Sequence, residues 1–245
     1  MKLKTLAILL SLAAALPAVA STQPHWAYEG KGSPEHWGEI SDEFQTCKTG
    51  QYQSPVDIKH VIDGKLPPLG LNFRTDTESI VNNGHTIMVD VQDSDDFMLD
   101  NDRFELKQFH FHTPSENLIA GKSYPLEAHF VHANKAGELT VVAVMFEEGA
   151  ENEALNPLIA AIPAQLNHEV KMEKSIDLAK LFPADEHYYR FSGSLTTPPC
   201  TEGVRWLILK QPVTLSAQQL QAFQKALKHT NNRPLQPLHG RVVVE

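Results

Sequence analysis

The stretch Gln108-Phe109-His110-Phe111-His112, read together with Glu127-Ala128-His129, holds the residue types from which a metal centre is built. Successive side chains on a strand point to opposite faces, so Gln108, His110 and His112 share one face and Phe109 and Phe111 the other. On a second strand Glu127, His129 and Val131 share a face in the same way. If the two strands are neighbours, three imidazoles converge on one point. Three neutral imidazoles suit Zn2+ and leave a fourth coordination position open, the mark of a catalytic site. Gln108 and Glu127 are candidates to orient the rings through their second nitrogens. The competing reading is ordinary strand histidines in a chain with 12 of them, and for His25, His60, His168 or His229 alone that reading is preferred. Spacing by itself leaves the third ligand open.

These side chains need a sheet to position them. Phe104 to His112 is β-rich, and Leu126 to His132 is a second short apolar run. Further apolar stretches recur at Ile80–Val81, Ile87–Val91, Phe97–Leu99 and Leu139–Phe146. Turn formers such as Asn82-Asn83-Gly84 and Asp100-Asn101-Asp102 separate them, the pattern of a predominantly β domain. Val204 to Leu209 reads as another buried strand. Helices are expected from Glu153 to about Ile162, over Ile176 to Leu181, and most clearly from Ser216 to Lys228. There Ser216 and Gln219 make a capping box, and Leu220, Phe223 and Leu227 form an apolar stripe. Ser21 to Ile58 shows no sustained period and reads as an irregular wrap over the core. The fold class is therefore mainly β (α+β), a single domain with a few surface helices.

Met1 to Ala20 has a basic start, an apolar run from Leu6 to Leu16 and a small-x-small end, the anatomy of a secretory signal peptide. Cleavage after Ala20 leaves about 225 residues, 21–245, which fits one large domain. The apolar run is too short for a membrane helix, which needs roughly 20 such residues. The formal net charge is −9, and losing Lys2 and Lys4 makes the chain more acidic still. That balance argues against nucleic acid and anionic membranes as partners. It suits an exported protein, periplasmic or secreted. Cys47 and Cys200 are the only cysteines, and export favours a disulfide between them.

Three more stretches carry polar chemistry. Asn82-Asn83-Gly84-His85 places a histidine after a turn with no apolar period to bury it. Gly193-Ser194-Leu195-Thr196-Thr197-Pro198-Pro199 is a stiff, hydroxyl-rich loop. Thr113-Pro114-Ser115-Glu116-Asn117 follows the His-x-His strand directly. Taken singly, each also reads as a turn, a Pro-stiffened loop and a helix-cap signal respectively. With Pro34-Glu35-His36-Trp37, Gln53-Ser54-Pro55-Val56-Asp57-Ile58, the histidine stretches and Asn232-Arg233-Pro234, they resemble the α-class carbonic anhydrases, in the family's order, over about residues 25 to 245.

The resemblance implies a central twisted, largely antiparallel sheet of about ten strands. It implies reversible hydration of carbon dioxide to bicarbonate and a proton, by attack of zinc-bound hydroxide. Carried over by position, it makes His110, His112 and His129 the zinc ligands, with Gln108 and Glu127 behind His110 and His129. Thr196 accepts a hydrogen bond from the hydroxide and passes one to Glu116. His85 is the proton shuttle, and Val131, Val141, Leu195, Val204 and Trp206 line the apolar wall for carbon dioxide, with the Thr196 amide beside it. The stretch between His112 and Glu116 is shorter than in the animal enzymes, as in bacterial members. Those members are often dimers, so a homodimer is the matching expectation. Two other readings compete. A zinc peptidase needs something like His-Glu-x-x-His on a helix, which is absent. A catalytically silent secreted binding module on the same fold needs no metal.

Overall fold

The structure, a computed structural model, describes residues 25–74, 76–92, 96–174 and 176–245; the expected leader, 1–20, lies outside them. The described strands are β1 (Asp57–Ile58), β2 (Val61–Ile62), β3 (Thr77–Asn82), β4 (Ile87–Val91), β5 (Asp96–Leu99), β6 (Asp102–His112) and β7 (Leu118–Ile119). They continue with β8 (Leu126–Ala133), β9 (Leu139–Glu148), β10 (Glu169–Lys171), β11 (Tyr188–Ser194), β12 (Glu202–Leu209), β13 (Val213–Leu215) and β14 (Val243–Val244).

One sheet holds 12 of these strands, in the order β10-β3-β4-β6-β8-β9-β12-β11-β14-β2, with β13 beside β9 and β5 beside β6. The run from β10 through β9 is antiparallel, as is β11 with β12. β9 and β12 pair in parallel, which requires the long return that carries β10, β11 and a helix between them. Parallel pairs also join β13 to β9 and β14 to β2, and β1 and β7 form a separate parallel pair. The sheet is thus mixed, and slightly larger than the ten strands its main path contains.

Both faces of the middle strands are covered, which is why Leu139–Phe146 is a continuous apolar run and not an alternating one. Val142, Val144 and Phe146 pack into one core with Phe109, Phe111 and Phe130. Val141, Ala143 and Met145 pack into a second core with Val204, Trp206 and Ile208. The helix Ala217–Leu227 closes the first core with Leu220, Phe223 and Leu227. It starts at the expected capping box, the Ser216 hydroxyl accepting from the Gln219 backbone amide at 3.2 Å and the Gln219 side-chain Oε1 accepting from the Ser216 amide at 3.1 Å. It ends at Lys228, in the left-handed region, which turns the chain back toward β6.

Two expectations are corrected. The segment read as irregular holds short helical turns at Gly30–Gly32, Pro34–His36, Trp37–Ile40, Asp42–Phe44 and Thr46–Thr49. Each is too short for a hydrophobic period to show; they are held by single anchors such as Trp37, whose indole N–H lies 2.9 Å from the carbonyls of Ala27 and Gly32. The expected helix over Ile176–Leu181 is one 3-10 turn, Leu178–Leu181, while the helix expected from Glu153 runs Leu155–Ala161.

Candidate metal centre

Strands β6 and β8 are neighbours, and their register sets His110 opposite His129 and His112 opposite Glu127. The three rings stand 4.5–5.3 Å apart between centroids. Each ring has one nitrogen engaged by the protein. His110 Nδ1 lies 2.8 Å from Gln108 Oε1, His129 Nε2 lies 2.8 Å from Glu127 Oε1, and His112 Nδ1 lies 2.7 Å from the carbonyl oxygen of Asn231. All three partners can only accept, so each of these nitrogens carries the proton. The opposite nitrogens, Nε2 of His110 and His112 and Nδ1 of His129, are left as lone-pair donors. One ligand atom from each ring falls within 4.8 Å of the others. His112 Nε2 is buried without a hydrogen-bond partner, an orphan that a bound cation satisfies. Burial, then repulsion from His112 and His129 on His110 and from His112 on His129, holds all three below the usual imidazole range, so they stay neutral and able to ligate. The donor set fits Zn2+.

Glu127 does more than orient His129. Its Oε2 accepts from the amides of Glu116 and Asn117 at 2.7 and 2.9 Å, and its Oε1 also accepts from Asn117 Nδ2 at 2.8 Å. Burial pushes its pKa up, but every contact on its oxygens is a donor, the environment of a carboxylate. Through it, the segment after β6 is tied to the ligand strand. The segment leads directly into β7, with no helix between, so its helix-cap reading is overturned. Glu116 is instead buried, its Oε1 accepting from the Arg233 amide at 2.8 Å and its Oε2 3.6 Å from His112 Nε2. Burial pushes its pKa up to about 8, against the lowering effects of the Arg233 amide and the Thr196 hydroxyl. Glu116 Oε2 has no hydrogen bond of normal geometry among the described residues, although Thr196 acts on this carboxyl.

Thr196 is buried in the loop after β11, whose base closes with Leu195 N donating to the Thr201 carbonyl at 2.9 Å. Cys200 in this loop is bonded to Cys47, as expected. The five residues of the expected apolar wall come together. Val131 pairs with Val141 across β8 and β9, and Val141 pairs with Trp206 across β9 and β12. Val204 belongs to the same core, and Leu195 packs against it. The Trp206 ring stands 4.9 Å from that of His129, so this wall adjoins the ligands. His85 is half-buried and stacks on Trp26, with centroids 3.8 Å apart at 14°. Burial, then His25 and His229, holds it below the usual imidazole range.

Three contributors had been given no role from the sequence. Asn231 supplies its carbonyl to His112, accepts from the Thr113 amide at 2.8 Å and donates to the carbonyls of His85 and Phe111. Arg233, quoted only within a motif, donates through its guanidinium to Gln53 Oε1 and the carbonyls of Ser54 and Cys47. Trp26 carries His85. A backbone carbonyl leaves no trace in residue type, so nothing in the sequence marked Asn231 for that part.

Comparison with known proteins agrees with this geometry. A family model described as eukaryotic-type carbonic anhydrase matches residues 32–245. A carbonic anhydrase of Pectobacterium atrosepticum is 50% identical over 237 residues, 97% of each chain. One from Neisseria gonorrhoeae is 44% identical, covering 98% of this chain and 96% of its own. The solved α-carbonic anhydrase of Thermovibrio ammonificans, in complex with the inhibitor sulfanilamide, superposes with a TM-score of 0.89 at 46% identity, over 91% of this chain and 100% of that one.

Proposed function

The chain belongs to the α-class, or eukaryotic-type, carbonic anhydrase family, and from that premise we propose how its residues divide the reaction. It is a zinc enzyme that catalyses the reversible hydration of carbon dioxide to bicarbonate and a proton. His110, His112 and His129 hold the metal, through Nε2, Nε2 and Nδ1. Zinc, when bound, supplies the Lewis acidity that makes water a nucleophile near neutral pH, as established for carbonic anhydrases themselves. Neutral ligands leave its full charge in place, which thiolates would partly cancel.

The remaining steps belong to the chain. With Glu116 as a carboxylate, Thr196 commits its hydroxyl proton to it, so the Thr196 oxygen can only accept from the attacking oxygen and aims a lone pair at the substrate carbon. Carbon dioxide is apolar and waits against Val131, Val141, Leu195, Val204 and Trp206. His85 takes the leftover proton on a ring nitrogen and passes it to solvent, a far smaller step for an imidazole than direct release to water. The observation that carries the reading is that each imidazole has its second nitrogen engaged while the first ones converge.

Zinc content and carbon dioxide hydration measured on purified protein and on His112→Ala test it. The variant loses most of the metal and essentially all activity; full zinc occupancy with an unchanged rate would overturn the assignment. The disulfide fits an oxidising compartment, and no described helix is long and apolar enough to cross a membrane. We read residues 1–20 as a cleaved leader, 21–245 as the enzyme domain, and the mature protein as exported to a periplasm or beyond. Mass spectrometry of exported protein beginning at Ser21 checks this.

A further inference from the structure

His229 reads from sequence as one of the ordinary histidines, yet its position is particular. It follows Lys228, whose left-handed conformation ends the helix Ala217–Leu227 and sends the chain past the turn that carries His85. That turn needs Gly84, at φ +84°. From within, Asn82 Oδ1 accepts from the Gly84 amide at 3.0 Å, and Asn83 Oδ1 from the amides of His85 and Thr86 at 2.9 and 2.8 Å. Its carbonyls point the other way and are met by the returning chain. Asn231 Nδ2 donates to the His85 carbonyl at 2.9 Å, and His229 Nε2 lies 3.0 Å from the Gly84 carbonyl. His229 Nδ1 lies 2.9 Å from the carbonyl of Thr230. A carbonyl only accepts and a neutral imidazole carries one N–H, so the ring serves the turn as a donor in the tautomer protonated at Nε2.

The same ring stands 5.9 Å from that of Tyr28, which in turn stands 6.4 Å from His85. His85 is thereby bracketed. Its backbone is held by two residues of one short segment, and its ring is held by the Trp26 stack with Tyr28 at its side. Asn231 also orients His112, so one stretch of chain indexes both the metal ligand and the turn.

We propose that His229 is a positioning residue for His85, anchoring the Gly84 carbonyl so that the His85 imidazole keeps its place on Trp26. The proposal rests on the reading of His85 as the proton carrier, and its test separates the two. In the zinc-loaded mature enzyme the His85 ring protons, assigned by their loss in His85→Ala, are shifted upfield by the indole beneath them. In His229→Ala these resonances move toward those of a free imidazole. The same variant loses several-fold in kcat, a fraction of the roughly 10²-fold that a general acid–base group contributes, while kcat/KM holds and imidazole buffer restores kcat. His229→Gln, whose amide can still donate to the Gly84 carbonyl, keeps both the shift and the rate. Unchanged His85 resonances in His229→Ala overturn the proposal, as does a parallel fall of kcat and kcat/KM, which signals general damage. An unchanged kcat in His85→Ala overturns the shuttle reading instead, and the resonances still decide whether His229 positions the ring.

Discussion

Single atoms decide much of the chemistry at the residue scale. Thr196→Ala removes the hydroxyl that orients the nucleophile and leaves the ligands alone. It should keep zinc and lose roughly 10²-fold in kcat/KM, about 2.7 kcal/mol of transition-state stabilisation. Stopped-flow hydration with a parallel metal assay checks this; an unchanged kcat/KM would make Thr196 a loop residue only. His85→Ala should act in the complementary way, lowering kcat with little change in kcat/KM and responding to imidazole buffer. If added buffer restores nothing, the proton leaves by another route. Gly193 is a third pivot. A Cβ there would meet Ser54 Oγ at 2.1 Å and the Trp206 ring at 2.8 Å. Ser54 and Ser194 exchange hydrogen bonds between their amides and hydroxyls at 2.9 and 3.2 Å, so the added methyl strikes the pair that seats the Thr196 loop.

The strands set how firmly those atoms are held. Phe111 lies between the ligands His110 and His112 on β6, is fully buried, and packs at a tilt against Phe223 of the helix Ala217–Leu227 at 4.7 Å between ring centroids. Phe111→Ala should cost about 3–5 kcal/mol, visible as a lower melting temperature, because its cavity lies in a core closed on both sides. On β8, His132 faces away from the metal. Its ring stands edge-on to Phe97 at 5.0 Å, and Nδ1 lies 2.9 Å from the Phe130 carbonyl. Burial pulls its pKa down to about 4, against the raising effect of the Phe130 and Thr140 backbone. The folded state therefore resists a proton that the unfolded chain accepts at its ordinary pKa of about 6.5. Between pH 6.5 and 4 the unfolded state binds more protons, so stability falls with pH by up to about 3 kcal/mol from this ring. His132→Gln should flatten that part of the stability–pH curve, measured by urea melts. A curve of unchanged slope would place the acid sensitivity elsewhere.

At the scale of the whole molecule, one bond ties the N-terminal wrap to the Thr196 loop. Cys47 and Cys200 are 153 residues apart, and the chain-entropy estimate for a loop that long is roughly 5 kcal/mol, an upper figure. That is comparable to the net stability of a domain. The bridge also touches the site. The Cys200 carbonyl accepts from Gln53 Nε2 at 3.0 Å, and the Cys47 carbonyl accepts from the Arg233 guanidinium at 3.0 Å. The Arg233 amide in turn holds Glu116 at 2.8 Å. Reduction should lower the melting temperature markedly, and activity should fall before the fold is lost. Full activity retained after both thiols are alkylated would show that the bridge and the Thr196 loop are independent.

The His110–His112 pair and the helix cap were legible because their signals are local. A strand repeats every two residues, so His110 and His112 had to share a face and Phe109 and Phe111 the other. Ser216 and Gln219 announced a helix start because a capping box needs both residue types three apart. Apolar composition likewise marked β6, β8, β9 and β12 before any partner was known. Tertiary structure decided what depends on distant chain. Whether His129 completes the trio rests on the register of β8 against β6, and no property of either strand states it. The parallel pairing of β9 with β12 is invisible because a strand buried on both faces looks alike in either direction. Asn231 reaches His112 with a backbone carbonyl, a group every residue owns, and only the left-handed turn at Lys228 delivers it. His229 meets Gly84 for the same reason. Residue types state which chemistry is available, and the return path of the chain states which atoms receive it.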